Sequence, residues 1–137
     1  MLPTNLSTNE VKDAAGAELE FVRWAALDRK LVFASSGETE ALPHRLTVNH
    51  QETGTGTDKV RRSVVRVDKS FTGPSGKQRK VSAYVVGVVP IGDQTDDTET
   101  EMVLANLISF VASKGASTTI LYDTSGYGAE CLRSGSL

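Results

Sequence analysis

The sequence of 137 residues predicts an α+β fold: an N-terminal β-hairpin, an antiparallel five-stranded meander sheet and C-terminal helices. Three observations predict it. The run Arg79–Val89 is rich in β-branched residues and stops at Pro90, the pattern of a long strand with its own terminator. Val103, Leu104, Leu107, Ile108 and Val111 recur at helical spacing, which marks one strong helix. Between residues 43 and 91, three strand-like runs follow one another across short connections, as in an antiparallel meander.

In chain order, Met1–Thr8 reads as a polar arm. Residues 9–13 and 18–26 flank Ala14-Ala15-Gly16-Ala17, where Gly16 suits a positive φ and so a hairpin. In the second arm Leu19, Phe21 and Arg23 share one side, and Glu20, Val22 and Trp24 share the other. Leu31–Ser35 is a short strand ended by Ser36-Gly37. Along Pro43–Gln51 the alternation is clean. Arg45, Thr47, Asn49 and Gln51 face one way, and His44, Leu46, Val48 and His50 the other. After the turn Gly54–Asp58, the strand Lys59–Lys69 mixes apolar and polar groups on both faces. Residues 70–78 read as a long Gly/Pro/Ser loop ahead of strand 79–91. An acidic turn opens the helix 98–114. Thr98 and Glu101 have capping-box spacing, and Lys114-Gly115 supplies a cationic last turn and a glycine end. Thr118–Asp123 reads as a weak second helix or as extended chain, and the glycines and serines beyond it read as a loose tail.

The length suits one domain, residues 1–137. No apolar run approaches the roughly 20 residues needed to span a bilayer, so no membrane partner is expected. The single cysteine, Cys131, rules out an internal disulfide framework and a cysteine-rich zinc site. The formal net charge is −2, but it is segregated. Residues 44–80 carry nine basic residues (Arg45, Lys59, Arg61, Arg62, Arg66, Lys69, Lys77, Arg79, Lys80) against Glu52, Asp58 and Asp68. Residues 93–101 carry only acids among their charged groups. Such segregation points to a face for a polar partner. Basic residues at period two beside Thr47 and Asn49 suit phosphate contact with short polar readers. The bland alternative is a solvated sheet face.

Other chemistries find no support. His44 and His50 share the side of Leu46 and Val48, with no Cys, Asp or Glu there to complete a metal site. Residues 73–78 lack the spacing and the hydroxyl of a phosphate loop. The acids at 93–101 lack the glycine of a calcium loop, and cap the helix instead. No nucleophile–base pair or carboxylate pair is defensible, so no enzyme, cofactor or small-molecule substrate is expected. One apolar helix and one open meander edge need cover. Burying five side chains of that helix is worth about 7–15 kcal/mol before entropy. Sequence alone leaves open whether the helix covers its own sheet or a partner's.

The layout resembles the coat protein of the single-stranded RNA bacteriophages, the levivirus group. Val88-Val89-Pro90-Ile91 resembles the end of that family's last strand. Asp97–Leu104 followed by Leu107-Ile108 resembles the start of its first helix. Arg45–Gln51 resembles its RNA-facing strand, and Ser125-Gly126-Tyr127 its near-terminal Ser-Gly-aromatic. The resemblance implies an intertwined homodimer with one continuous sheet, in which Val103, Leu104, Leu107, Ile108 and Val111 pack over the partner's sheet. Dimers would form an icosahedral shell in the bacterial cytoplasm, package single-stranded viral RNA into a virion, and repress translation by binding an RNA hairpin. The implied RNA-contacting residues are Arg45, Thr47, Asn49, Gln51, Arg62, Arg66, Lys80, Ser82 and Tyr84. Tyr84 stands two residues after the position of the family's tyrosine, and Val64 and Val86 are apolar on the same implied face. The implied loop between dimers is Lys69, Ser70, Phe71, Thr72, Gly73, Pro74, Ser75, Gly76, Lys77 and Gln78. It has no cysteine, so no disulfides between dimers are expected. A small dimeric RNA-binding regulator without a shell is the alternative.

Overall fold

The structure, a computed structural model, describes residues 2–6, 10–112 and 124–135. They fall into two compact units: Met1–Val11 with Leu19–Gln94, and Lys12–Glu18 with Thr95–Leu137.

The first unit is one six-stranded sheet in the order of the sequence: β1 (Asn5–Leu6), β2 (Phe21–Leu27), β3 (Lys30–Ser35), β4 (His44–Thr53), β5 (Val60–Thr72) and β6 (Gln78–Val89). Every neighbouring pair is antiparallel. The meander is therefore as expected but carries six strands, not five. The extra strand lies in the supposed polar arm, where Asn5 and Leu6 pair with Val22 and Phe21. Two residues are too few to show a period. What recruits them is Leu6, buried against the core.

That core lies on one face of the sheet. Phe21 and Phe33 are 0% exposed there and cluster with Leu6, Leu46 and Val48. Period-two alternation then puts Arg45, Thr47, Asn49 and Gln51 on the opposite face. Pairing continues further around the 73–77 turn than expected. Phe71 pairs with Arg79 and Thr72 with Gln78, so residues 69–72 and 78 are strand. The loop shrinks to Gly73–Lys77, closed by the Gly73 N–H on the Lys77 carbonyl (2.9 Å), with Gly76 at φ 75°. Only Gly73 to Gly76 supply turn chemistry; Ser70, Phe71 and Thr72 are compatible with a strand. After Pro90, the Gly92 N–H donates to the Lys59 carbonyl at 2.9 Å, and a Cβ on Gly92 would overlap the Gly56 carbonyl.

The second unit contains the hairpin turn and two helices, α1 (Thr98–Ala112) and α2 (Tyr127–Ser134). In the turn, Asp13 accepts from the Ala15 and Ala17 amides at 2.9 Å each, with Gly16 at φ 82°. Helix α1 begins at Thr98 as expected, but Thr98 is not its cap. The Thr98 N–H donates to the Asp96 carboxylate (3.0 Å), and Glu101 closes the first turn on the Asp97 carbonyl (2.8 Å). Hydrogen bonds from the Thr98 amide and hydroxyl hold the Asp96 carboxyl below its ordinary range. The expected Lys114-Gly115 end and the Thr118–Asp123 element lie outside the described residues. The "loose tail" is helix α2. Its glycines are structural: Gly128 sits so tightly on Phe110 of α1 that a Cβ would overlap it, and Gly135 (φ 73°) caps the end by donating to the Cys131 carbonyl. No described helix is long and apolar enough to cross a membrane.

His44 sits on the core face with its ring edge against Phe21, centroids 5.1 Å apart. Burial, with the Lys69 charge, lowers its pKa against the opposing pull of Glu38. The folded protein therefore disfavours the imidazolium, while the unfolded chain takes up its proton near the ordinary value of 6.5. Stability is expected to fall as pH drops below that value, and His44→Asn to flatten this part of the profile. Urea midpoints measured from about pH 7 to about pH 5 check it; equal slopes in the two proteins would remove His44 as the cause.

Candidate nucleic-acid interface

The strand registers assemble the predicted polar residues into rows across β4, β5 and β6. Arg45 pairs with Asp68 and Asp68 with Ser82. Thr47 pairs with Arg66 and Arg66 with Tyr84. Asn49 meets Val64 and then Val86; Gln51 meets Arg62 and then Val88; Lys80 pairs with Ser70. Paired residues point to the same side, so all nine predicted contact residues share one face. This settles strand β5, which had looked ambiguous: Arg62, Val64 and Arg66 belong to the polar face and Val65 and Val67 to the other.

The same registers correct the charge count. Arg61, Lys69 and Arg79 fall on the core side of the sheet, leaving Arg45, Arg62, Arg66 and Lys80 as the basic members of these rows. Two of the four are held by acids of the chain itself. Arg66 Nε donates to Asp68 at 2.9 Å and Arg66 Nη2 to Ser82 at 3.2 Å, while the Ser82 hydroxyl donates to Asp68. Burial pushes the Asp68 carboxyl up. The hydrogen bonds from Ser82 and Arg66, with the Arg66 and Lys80 charges, outweigh it and hold the pKa below its ordinary value. Arg45 Nη2 reaches Glu38 at 3.5 Å. Arg62 is exposed and, among the described residues, makes no ion pair. At the strand end Glu52 accepts from Lys59 (3.0 Å) and Arg29 (2.7 Å).

The arrangement is thus a sheet face with short polar side chains (Thr47, Asn49, Ser82) among arginines, of which Arg45 and Arg66 are held by acids. Its donors are of the kind that suit phosphate oxygens, and the exposed ring of Tyr84 is of the kind on which an unpaired base can stack. Among the described residues no three His, Cys, Asp or Glu side chains gather as a metal site. The predicted helix residues lie elsewhere. Val103, Leu104, Leu107 and Ile108 are exposed and Val111 half-buried, on a helix without a buried residue. Two acids and an aromatic escaped the sequence reading: Glu38 and Asp68 as partners of the arginines, and Trp24, whose ring centroid lies 4.0 Å from the Arg45 guanidinium carbon. The parity of Trp24 with Val22 was the available signal.

Solved structures similar to the chain include the coat protein of bacteriophage EMS014, at 14% identity and TM-score 0.64, with 98% of this chain and 90% of that one covered. The chain has the fold of the levi-like phage coat proteins. A virus-like particle of Beihai levi-like virus 32 is similar at 17% identity and TM-score 0.63, over 87% of this chain and 88% of that one. A virus-like particle of bacteriophage AVE019 follows at 10% identity and TM-score 0.58, over 96% and 93%. No family model and no curated protein matches the chain. In a coat-protein fold of this order, β6 is an edge strand of twelve residues with no proline inside it.

Proposed function

We propose that residues 1–137 form the coat protein of an RNA phage, which dimerises, assembles into an icosahedral shell and packages single-stranded RNA. The observation that carries this, beside the coat-protein fold, is uncovered apolar surface of two kinds. Helix α1 buries none of its fifteen residues. Among the described residues strand β6 leaves an open edge, with Val81 and Val85 exposed on the core side of the sheet. An uncovered edge of this length is a liability unless a second strand pairs with it. A second copy solves both problems on a two-fold axis: β6 pairs with the partner's β6, and α1 packs over the partner's sheet. The Gly73–Lys77 turns then meet other turns between dimers. The polar face lines the interior, where its arginines contact the genome; binding of an RNA hairpin there would also repress translation. Assembly takes place in the host cytoplasm, and the product is the virion.

Protein expressed alone in bacteria and viewed by electron microscopy is expected to give uniform shells holding RNase-protected RNA. Dimers at every concentration and salt would favour a small RNA-binding regulator instead. RNA affinity that does not weaken as salt rises would overturn phosphate contact by this face.

A further inference from the structure

The chain's one tryptophan stands out in the sheet. Trp24 is 61% exposed, although a tryptophan gains from burying its large ring. It sits at a bulge, where the β2–β3 register shifts between Arg23 and Ala25, and bulges re-aim side chains. Parity with Val22, which pairs with Ala34 and through it with Arg45, puts the ring on the polar face, where the Arg45 guanidinium covers it at 4.0 Å from its centroid. Arg45 is in turn held by Glu38, and Glu38 accepts the His44 N–H at 2.9 Å. A chain of contacts thus fixes the orientation of an indole that remains mostly in solvent. The sheet register extends from this ring: Ala25, beside it, pairs with Val32, then Thr47, Arg66 and Tyr84. Tyr84 is 64% exposed, with the Arg66 guanidinium 5.9 Å from its ring centroid. Two arginine-backed rings therefore stand at the ends of one row, about 19 Å apart at the usual strand spacing.

We infer that Trp24 is a stacking platform for an unpaired nucleobase, with Arg45 as its positioning residue, on a single strand that crosses the sheet between Trp24 and Tyr84. The inference rests on the reading of the polar face as an RNA-binding face. Charge favours this occupant over an apolar peptide: Lys30, Arg62 and Lys80 are all exposed on the same face. Unpaired bases stack on aromatic rings regardless of sequence, whereas a duplex keeps its bases inside. With its carboxylate partner, Arg45 serves better to hold the ring than to grip a phosphate.

As the chain's only tryptophan, Trp24 reports on its own occupancy. Assembled dimers are titrated with an oligoadenylate of about eight nucleotides and with an abasic strand of equal length. Binding is followed by anisotropy of an end label, and stacking by tryptophan emission. Oligoadenylate is expected to quench the emission and the abasic strand to bind without quenching. Trp24→Leu is expected to weaken oligoadenylate about tenfold and leave the abasic strand unchanged, while Trp24→Phe retains most of the affinity. Binding of oligoadenylate without quenching, or an equal loss for both strands in Trp24→Leu, overturns the inference and leaves the RNA-face reading intact. Failure of both strands to bind overturns that reading, and the inference with it.

Discussion

Replacing Leu107 and Ile108 together by aspartate is expected to leave no dimer and no shell. The two side chains are 41% and 57% exposed on α1, a helix with no buried residue. In the proposed dimer they enter the partner's sheet, where each apolar side chain contributes roughly 1.5–3 kcal/mol. Aspartate removes that gain and adds the cost of an unpaired buried charge, which exceeds it. In that proposed dimer each helix would cover the other chain's sheet, so the loss would be felt twice, once on each side of the two-fold axis. Sedimentation of the purified variant should show only monomer or unfolded chain, and electron microscopy no particles. Shells of normal size from this protein would place the helix outside the dimer interface.

The second large effect concerns the core of the sheet. Phe33→Ala is expected to destabilise the fold by about 3–5 kcal/mol, since the ring is fully buried and its neighbours cannot all relax into the space. Phe33 lies in one cluster with Phe21, Leu6, Leu46 and Val48, so the cavity would open at the centre of that cluster. Against a typical total of roughly 5–15 kcal/mol, this loss takes much of the stability. Denaturant midpoints compared with those of Phe33→Leu, which keeps most of the volume, should separate the cavity from any change of surface. Near-identical midpoints for the alanine variant and the parent would show that the cluster does not carry the sheet.

Much of the polar face was legible in the residues. Arg45, Thr47, Asn49 and Gln51 alternate with Leu46 and Val48, and a period of two admits one assignment of faces once the apolar side is known. Strand β5 did not yield to that logic, since Val and Arg occur on both of its sides. Pairing Thr47 with Arg66 decided it. The count of nine basic residues overstated the field on the polar face, because parity sends Arg61, Lys69 and Arg79 to the other side. It also missed the acids that hold the arginines: Asp68, two residues from Arg66 on the same side of β5, and Glu38, seven residues before Arg45 across the turn that enters β4. Helix α2 was hidden for the opposite reason. Its glycines suggested looseness, but one is a cap and another is a point of close approach to Phe110, roles visible only when the neighbour is in place.

By itself, the sequence determined the antiparallel run of the long strands, the start of α1, the alternation on β4 and the presence of an apolar helix stripe and a sheet edge that need cover. These follow from local periodicity and from turn chemistry, which act over a few residues. The tertiary structure decided the sixth strand, the short Gly73–Lys77 turn, the faces of β5, the pairing of the arginines and the presentation of Trp24 beneath Arg45. Each of these depends on register or on a contact between distant segments. A one-residue slip in register would send every side chain of a strand to the opposite face, so only the folded sheet fixes which groups meet.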